Sequence, residues 1–435
     1  MKRLILLALT LPIAASASYF EFYGSGAFTS ALGNQTSNNA SDPSNHYYHP
    51  ALMAWNKTIL FSAHAGSVST DFENINNIVT KNGTNSGSNE TGNARTDYGK
   101  SYHSIVHASL PLAYPGAGPV SLSFVAPFGD IAETNSGDAR LPEYVMYHAR
   151  HKRTQVFLSY AHPYDEFWAW AIGAHVGFQA SADVYTQASL NGANYGSSGA
   201  AKSQVTPSIA ALASVTRKLD EGHFSFTYQQ EMKSNLQAIA TGEINDPTSV
   251  LFNFTLESMI YYDPHIFRFS WANRLSNTWD MIATAEYQMW SNYKPPTIFI
   301  KRNGGVLLPS DDYEKLKIKD IPVAHLGFSW HLFDDFTLSF GGFWRPTPIE
   351  GDFSGAGNSI DSDVVGITSG FAHSMKLFEK DIEWGASLQY HMLKQQNVSK
   401  TPGEEDGTSG SKIGAPGYKI GGEVLTGSLG ARMMF

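Results

Sequence analysis

Histidine is the side chain best suited to acid–base chemistry or metal ligation near neutral pH, and the chain carries 15 of them with no cysteine. His148 and His151 have the spacing of two ligands on one helical turn, inside the basic run Arg150-His151-Lys152-Arg153. No apolar stripe at helical period surrounds the pair and no carboxylate is matched to it. The run therefore reads as a basic rim rather than a metal site. Serine chemistry has as little behind it: no Gly-x-Ser-x-Gly stands in a strand-to-helix context, and no Ser, His and acid set assembles on adjacent strands. No catalytic residue, metal or cofactor is assigned.

The elements that would position a site come next. Lys2 and Arg3, the apolar stretch Leu4 to Ile13 and the small residues Ala15-Ser16-Ala17 have the pattern of an export signal, expected over residues 1–17 with cleavage after Ala17. No later run is long and apolar enough for a membrane helix, which needs about 18 to 20 residues, so any membrane role falls to strands. The formal charge of −9 argues against nucleic acid as a partner, because phosphate binding needs a basic footprint. Without cysteine there is neither a disulfide framework nor thiolate chemistry. Aromatic content of 13%, with 39 glycines and 16% charged residues, suits short-turned β architecture with interfacial belts.

Period-two alternation recurs in segments of about ten residues. Leu425, Gly427, Leu429, Ala431, Met433 and Phe435 fall on one face, and Thr426, Ser428, Gly430 and Arg432 on the other. Similar stripes run from Trp384 to Met392, Leu326 to Leu332, Phe224 to Tyr228 and Ala283 to Met289. Alternation alone does not separate a soluble sandwich from a membrane barrel; the connections do. Six are short, at Tyr114-Pro115-Gly116, His162 to Asp165, Leu219 to Gly222, Ser276 to Thr278, Phe333 to Asp335 and Glu379 to Asp381. Long polar connections alternate with them, which sorts all long loops to one end and all short turns to the other. The expectation is an all-β chain: a transmembrane antiparallel barrel of about 14 strands over residues 58–435, with the Gly- and Asn-rich segment 18–57 as a plug in its lumen. The basic run at 150–153 would then meet lipopolysaccharide phosphates.

Tyr19-Phe20, Gly24 to Ala27, Leu32-Gly33, His49-Pro50-Ala51, Pro127-Phe128-Gly129 and Asp361-Ser362-Asp363, in this order, resemble the motifs of the FadL-type family of outer-membrane transporters of long-chain fatty acids and other hydrophobic compounds. Tyr19-Phe20, Gly24 to Ala27 and Leu32-Gly33 look like its N-terminal hatch. His49-Pro50-Ala51 looks like the hatch motif Asn-Pro-Ala, with histidine replacing the asparagine. Pro127-Phe128-Gly129 resembles the stretch on the family's third strand, and Asp361-Ser362-Asp363 a later motif in which Val364 stands where an arginine is usual. The terminal Phe435 resembles the signal read by the barrel assembly machinery. The resemblance covers essentially the whole mature chain.

What it implies is passive uptake, with a hydrophobe leaving sideways through the wall at a kinked third strand. Phe20 would reach the pocket, or else be ordinary plug packing. Pro127 would open the strand ladder, or else simply end the strand. Lys294, Lys301 and Arg302 fall where a lysine facing a fatty-acid carboxylate is expected, or else they are solvated loop charges. Expected partners are hydrophobic small molecules, lipopolysaccharide and other outer-membrane lipid, and the assembly machinery, with the chain a monomer in the bacterial outer membrane. A surface-interaction barrel without transport, or an outer-membrane lipid-modifying enzyme, are the alternatives.

Overall fold

A sandwich buries its apolar stripes and shows water its polar ones; this chain does the reverse. In a computed structural model, Leu425 and Leu429 are exposed while their neighbours Thr426 and Ser428 are buried, and Trp384 and Leu388 are exposed beside buried Gln389 and His391. An outer face of this kind needs hydrocarbon as its solvent. The model describes residues 19–435 except 77, 82–88, 95, 129–141, 148–149, 190–195, 247, 297–298, 306–315, 351–358, 378–379 and 400–416.

Fourteen antiparallel strands close the wall. They are β1 (Leu60–Phe72), β2 (Lys100–Pro111), β3 (Pro119–Pro127), β4 (Gln155–Pro163), β5 (Trp168–Ser189), β6 (Gly196–Leu219) and β7 (Gly222–Gln229). The circuit continues with β8 (His265–Ser276), β9 (Trp279–Met289), β10 (Ile321–Phe333), β11 (Phe336–Arg345), β12 (Val364–Leu377), β13 (Lys380–Ser399) and β14 (Gly417–Met434). Closure comes from β1, which pairs with β2 on one edge and with β14 on the other, from Leu60↔Met434 to Phe72↔Gly422. No wall edge is then left to pair in lipid, where an unpaired amide costs several kcal/mol. Five of the six short turns are described and fall at one end, the sixth lying partly outside the described residues, and the exposed rings of Tyr114, Tyr164, Phe167, Trp168, Phe333 and Phe435 gather there.

One departure from the expected antiparallel pattern lies at the opposite, long-loop end. The wall strands β7, β8 and β9 all break at one level: at Gln230 and Glu231, at Pro264, and after Met289. Pro264 has no amide to donate, so a ladder cannot run through it unbroken. Beyond the break, Met232–Asp246, Thr248–Asp263 and Phe299–Gly305 form an outer sheet. Because β4 stops pairing with β5 at Val156↔Val176, the outer half of β5 has an open edge. It is filled by Met232–Asp246 in parallel, from Leu236↔Ala180 to Asn245↔Ser189.

The lumen is filled by the chain's own beginning. Helices α1 (Tyr19–Tyr23), α2 (Ala27–Ser30) and α3 (Asn45–Tyr48), then a 3-10 turn over Pro50–Trp55, are almost wholly buried. These pieces are too short to be stable alone. Contact with the wall holds them, and it is close: Gly33 adopts φ 84°, and a methyl on Gly341 of β11 would lie 2.3 Å from the Leu32 carbonyl carbon.

Candidate functional site

On the short-turn side, the plug meets the wall through polar side chains that pair across the contact, with single atoms such as His64 Nε2 and Gln35 Oε1 left without a hydrogen bond among the described residues. Arg432 of β14 lies 2.9 Å from Asp42 and 2.7 Å from Glu383 of β13, with its guanidinium 4.4 Å from the Phe28 ring centre. Burial by itself raises the Asp42 carboxyl, but the Arg432 charge and hydrogen bonds from Ser44 outweigh it and hold the group below its ordinary range. His46 bridges Ser123 of β3 and Ser159 of β4 at 2.7 Å each. His49 bridges Thr227 of β7 at 2.8 Å and Ser270 of β8 at 2.6 Å. Burial, with His107 beside it, pulls His46 down to about 3. Burial together with Arg268 and His223 pulls His49 well below the histidine range, so both dock as neutral rings. From the wall, His325 of β10 donates to the Gly33 carbonyl at 2.7 Å, Thr368 of β12 to that of Ala31 at 2.8 Å, and Gln389 of β13 to that of Tyr23 at 2.7 Å.

Outward of this seal, the plug packs Phe20 into an aromatic cluster. Its ring centre lies 4.9 Å from Tyr47, 5.7 Å from His107 of β2 and 5.9 Å from Phe157 of β4; Phe157 stacks on His175 of β5 at 4.4 Å. Charge is gathered against these rings. Asp263 receives Arg153 at 2.5 Å and Arg150 at 3.5 Å, and Arg150 also reaches Glu21 of α1 at 3.0 Å. The Arg150 guanidinium lies between the rings of Phe22 and Trp290, at 5.0 and 4.6 Å. Burial pulls Arg153 down to about 10 against the raising pull of Asp263, so it stays cationic at neutral pH.

Several polar atoms in this cluster are buried without a hydrogen bond among the described residues: Nε and Nη1 of Arg153, both amide atoms of Gln155, and both ring nitrogens of His175. A second pair, Arg345 bidentate to Asp361 at 3.1 and 3.2 Å with Tyr147 at 3.0 Å, flanks a cavity with room for about one water molecule beside Phe22, His325 and His391.

The wall beside the cluster is thinly paired. β3 follows β2 as far as Pro127↔His103 but follows β4 only to Val125↔Gln155. Pro127 is the last residue of the strand, and Phe128, 59% exposed, hydrogen-bonds the Tyr102 carbonyl at 2.8 Å. Gly129 lies outside the described residues.

The structure brings Phe20, His49, Pro50 and Ala51 into one buried plug: Pro50 opens the 3-10 turn and Ala51 packs with Ala161, Ala169 and Ala171 of β4 and β5. It leaves Lys294 and Lys301 away from the aromatic cluster. Lys294 is exposed in the connection after β9, and Lys301 is exposed on the outer sheet, 2.7 Å from Glu257. Arg302 sits opposite Phe254 in that sheet's register, its side chain outside the described set.

The basic run forms no rim. Arg150, His151 and Arg153 are buried in the lumen, because the chain before β4 folds inward under the outer sheet. Sequence reasoning missed Arg153, Gln155 and His175. The available signal was that Arg153, Gln155 and Phe157 stand at every second position running into β4. Asp361 is paired with Arg345 of β11.

No family model matches this chain, and no curated protein does. Solved structures do. A Pseudomonas aeruginosa FadL homologue has the same backbone path with a TM-score of 0.61 at 13% identity, over 97% of this chain and 98% of that one. The fold is that of the FadL-type channels. Two other channels of this fold match along nearly the whole length: the TodX monoaromatic hydrocarbon channel deltaS2 mutant, with a TM-score of 0.54 at 10% identity over 96% and 100% of the chains, and the CymD monoaromatic hydrocarbon channel, with 0.52 at 11% over 96% and 99%. The FadL-type frame places the N-terminal plug, the aromatic cluster and the short third strand of this chain side by side.

Proposed function

We propose that this protein is a passive outer-membrane transporter for hydrophobic molecules that carry a polar or anionic head. The observation that carries this reading is a packed cluster: aromatic rings around Phe20 beside the unpaired donors of Arg153, Gln155 and His175, all buried. A buried polar atom left unpaired costs about 1–3 kcal/mol, and a ligand head group would supply partners while its tail takes the rings.

The route proposed is inward past the outer sheet to this cluster and then sideways through the wall between β3 and β4. The early end of their pairing at Val125 and the missing amide at Pro127 support a lateral exit there. A sideways path suits a greasy solute. Passage through a water-filled pore would leave its surface hydrated, forgoing about 25 cal/mol for every Å² of apolar area. The docked plug is consistent with this, since it occupies the direct way to the periplasm.

The test is uptake by proteoliposomes of labelled oleate and of a headless hydrocarbon, in the wild type and in Arg153→Met. Oleate uptake is expected to fall at least fivefold in the variant with hydrocarbon uptake unchanged. Equal, negligible oleate uptake by the wild type and by a version lacking residues 18–51 would remove the transport reading.

A further inference from the structure

We propose that the plug is docked by an oriented chain of neutral histidines and that acid releases it, which makes this barrel's plug a pH-responsive element. The orientation follows from the partners. His107 Nε2 donates to the Ser25 carbonyl of the plug, so in the neutral ring Nδ1 is an acceptor and takes the Ser123 hydroxyl proton at 2.7 Å. Ser123 Oγ must then accept from His46 Nδ1 at 2.7 Å. That leaves His46 Nε2 to accept from Ser159, also at 2.7 Å. Next to this chain, His64 of β1 accepts the Ala27 amide at Nδ1, 3.2 Å away.

Each proton has one place, and an added one has none. A protonated His107 donates to Ser123, Ser123 then turns its proton to His46 Nδ1, His46 carries its own proton on Nε2, and the Ser159 hydroxyl at the end of the chain loses its acceptor. A protonated His64 sets an N–H against the Ala27 N–H and loses that contact with the plug.

The surroundings do not favour the charge. His46 faces His107, and the rings of His107 and His64 lie 5.9 Å apart. The carboxylate facing them, Asp42, is already held by Arg432 at 2.9 Å. On the other flank His49 faces His223 and Arg268, the latter paired with Glu286 at 2.5 Å.

Docked, His46 titrates near 3, and in water it returns to about 6.5. The released plug binds more protons, so release is favoured as pH falls below 6.5. For this one histidine the released fraction grows about tenfold per pH unit, or roughly a hundredfold at pH 4.5.

Because the chain has no cysteine, nitroxide labels can be placed singly. With Ala40→Cys on the plug and Asp335→Cys in the β10 to β11 turn, pulsed electron spin resonance on the full chain in bilayers reads the plug-to-wall distance. A narrow distribution is expected at pH 7.5 and a broad one at pH 4.5, with heat-modifiable gel mobility showing the barrel folded at both. In H46Q/H107Q the distribution is expected to broaden with acid much less than in the wild type, whatever its starting width, since His49 and His64 are left to titrate against the docked plug. A wild-type distribution unchanged at pH 4.5, or a double variant that broadens with acid as the wild type does, would overturn the proposal. Transport plays no part in this readout, so its failure and that of the transporter reading are separable.

Discussion

The two ends of the lumen differ in what their buried polar groups face. Toward the short turns, Asp42, His46, His49 and Arg432 each meet partners on the facing surface, and backbone packs on backbone at Gly33 and Gly341. Toward the outer sheet, Arg153, Gln155 and His175 are equally buried but keep unpaired atoms beside an aromatic surface. A seal gains from each bond made across it, since every unmade one costs stability. A binding site must hold some capacity back for its ligand.

The comparison is sharpest where the seal is broken. Arg432→Met would strand the buried Asp42 carboxylate, at about 3–5 kcal/mol, the usual cost of removing one partner of a buried pair. Residues 19–57 should then exchange their amides far faster than the strands, and planar-bilayer conductance to small ions should rise. Unchanged conductance would mean that Arg432 does not hold the plug.

Phe20→Ala removes the ring at the boundary between the two regions, with a loss of about 3 kcal/mol or more. Because the ring packs on both Tyr47 and Phe157, oleate uptake and plug protection are expected to fall together; a loss of protection alone would place Phe20 in the seal only. Gly341→Ala acts on the seal without touching charge. Overpacking against Leu32 is expected to cost about 1–3 kcal/mol, read as faster exchange around Ala31 to Asn34 with the cluster's cargo affinity unaltered. The smallest effect is expected from Lys301→Ala, since an exposed pair such as Lys301 with Glu257 is worth about 0–1 kcal/mol. Oleate uptake within about twofold of wild type would agree, and a larger loss would bring the outer sheet into the binding route.

The wall and its turns were legible because one strand carries two periods of information at once, a face for lipid and a face for the lumen. Leu425 and Thr426 differ in solvent for that local reason. The plug was legible as a break in the pattern. The candidate site was only partly so: Phe20 and His49 stood out by motif. The run Arg150 to Arg153 was assigned to the surface because a string of cations is normally solvated, and nothing local says that Asp263, more than a hundred residues away, neutralises it. The parallel seam between β5 and Met232–Asp246 was likewise invisible, being a consequence of where β4 stops.

By itself, then, the amino-acid order determined which residues alternate, where the chain turns and how many strands there are, because these depend on neighbours one or two positions apart. Only the closed tertiary structure decided which histidines pin the plug, which arginines lose their water and which polar atoms go unpaired. Those outcomes depend on groups brought together across the lumen from distant strands, where burial makes each surviving contact decisive.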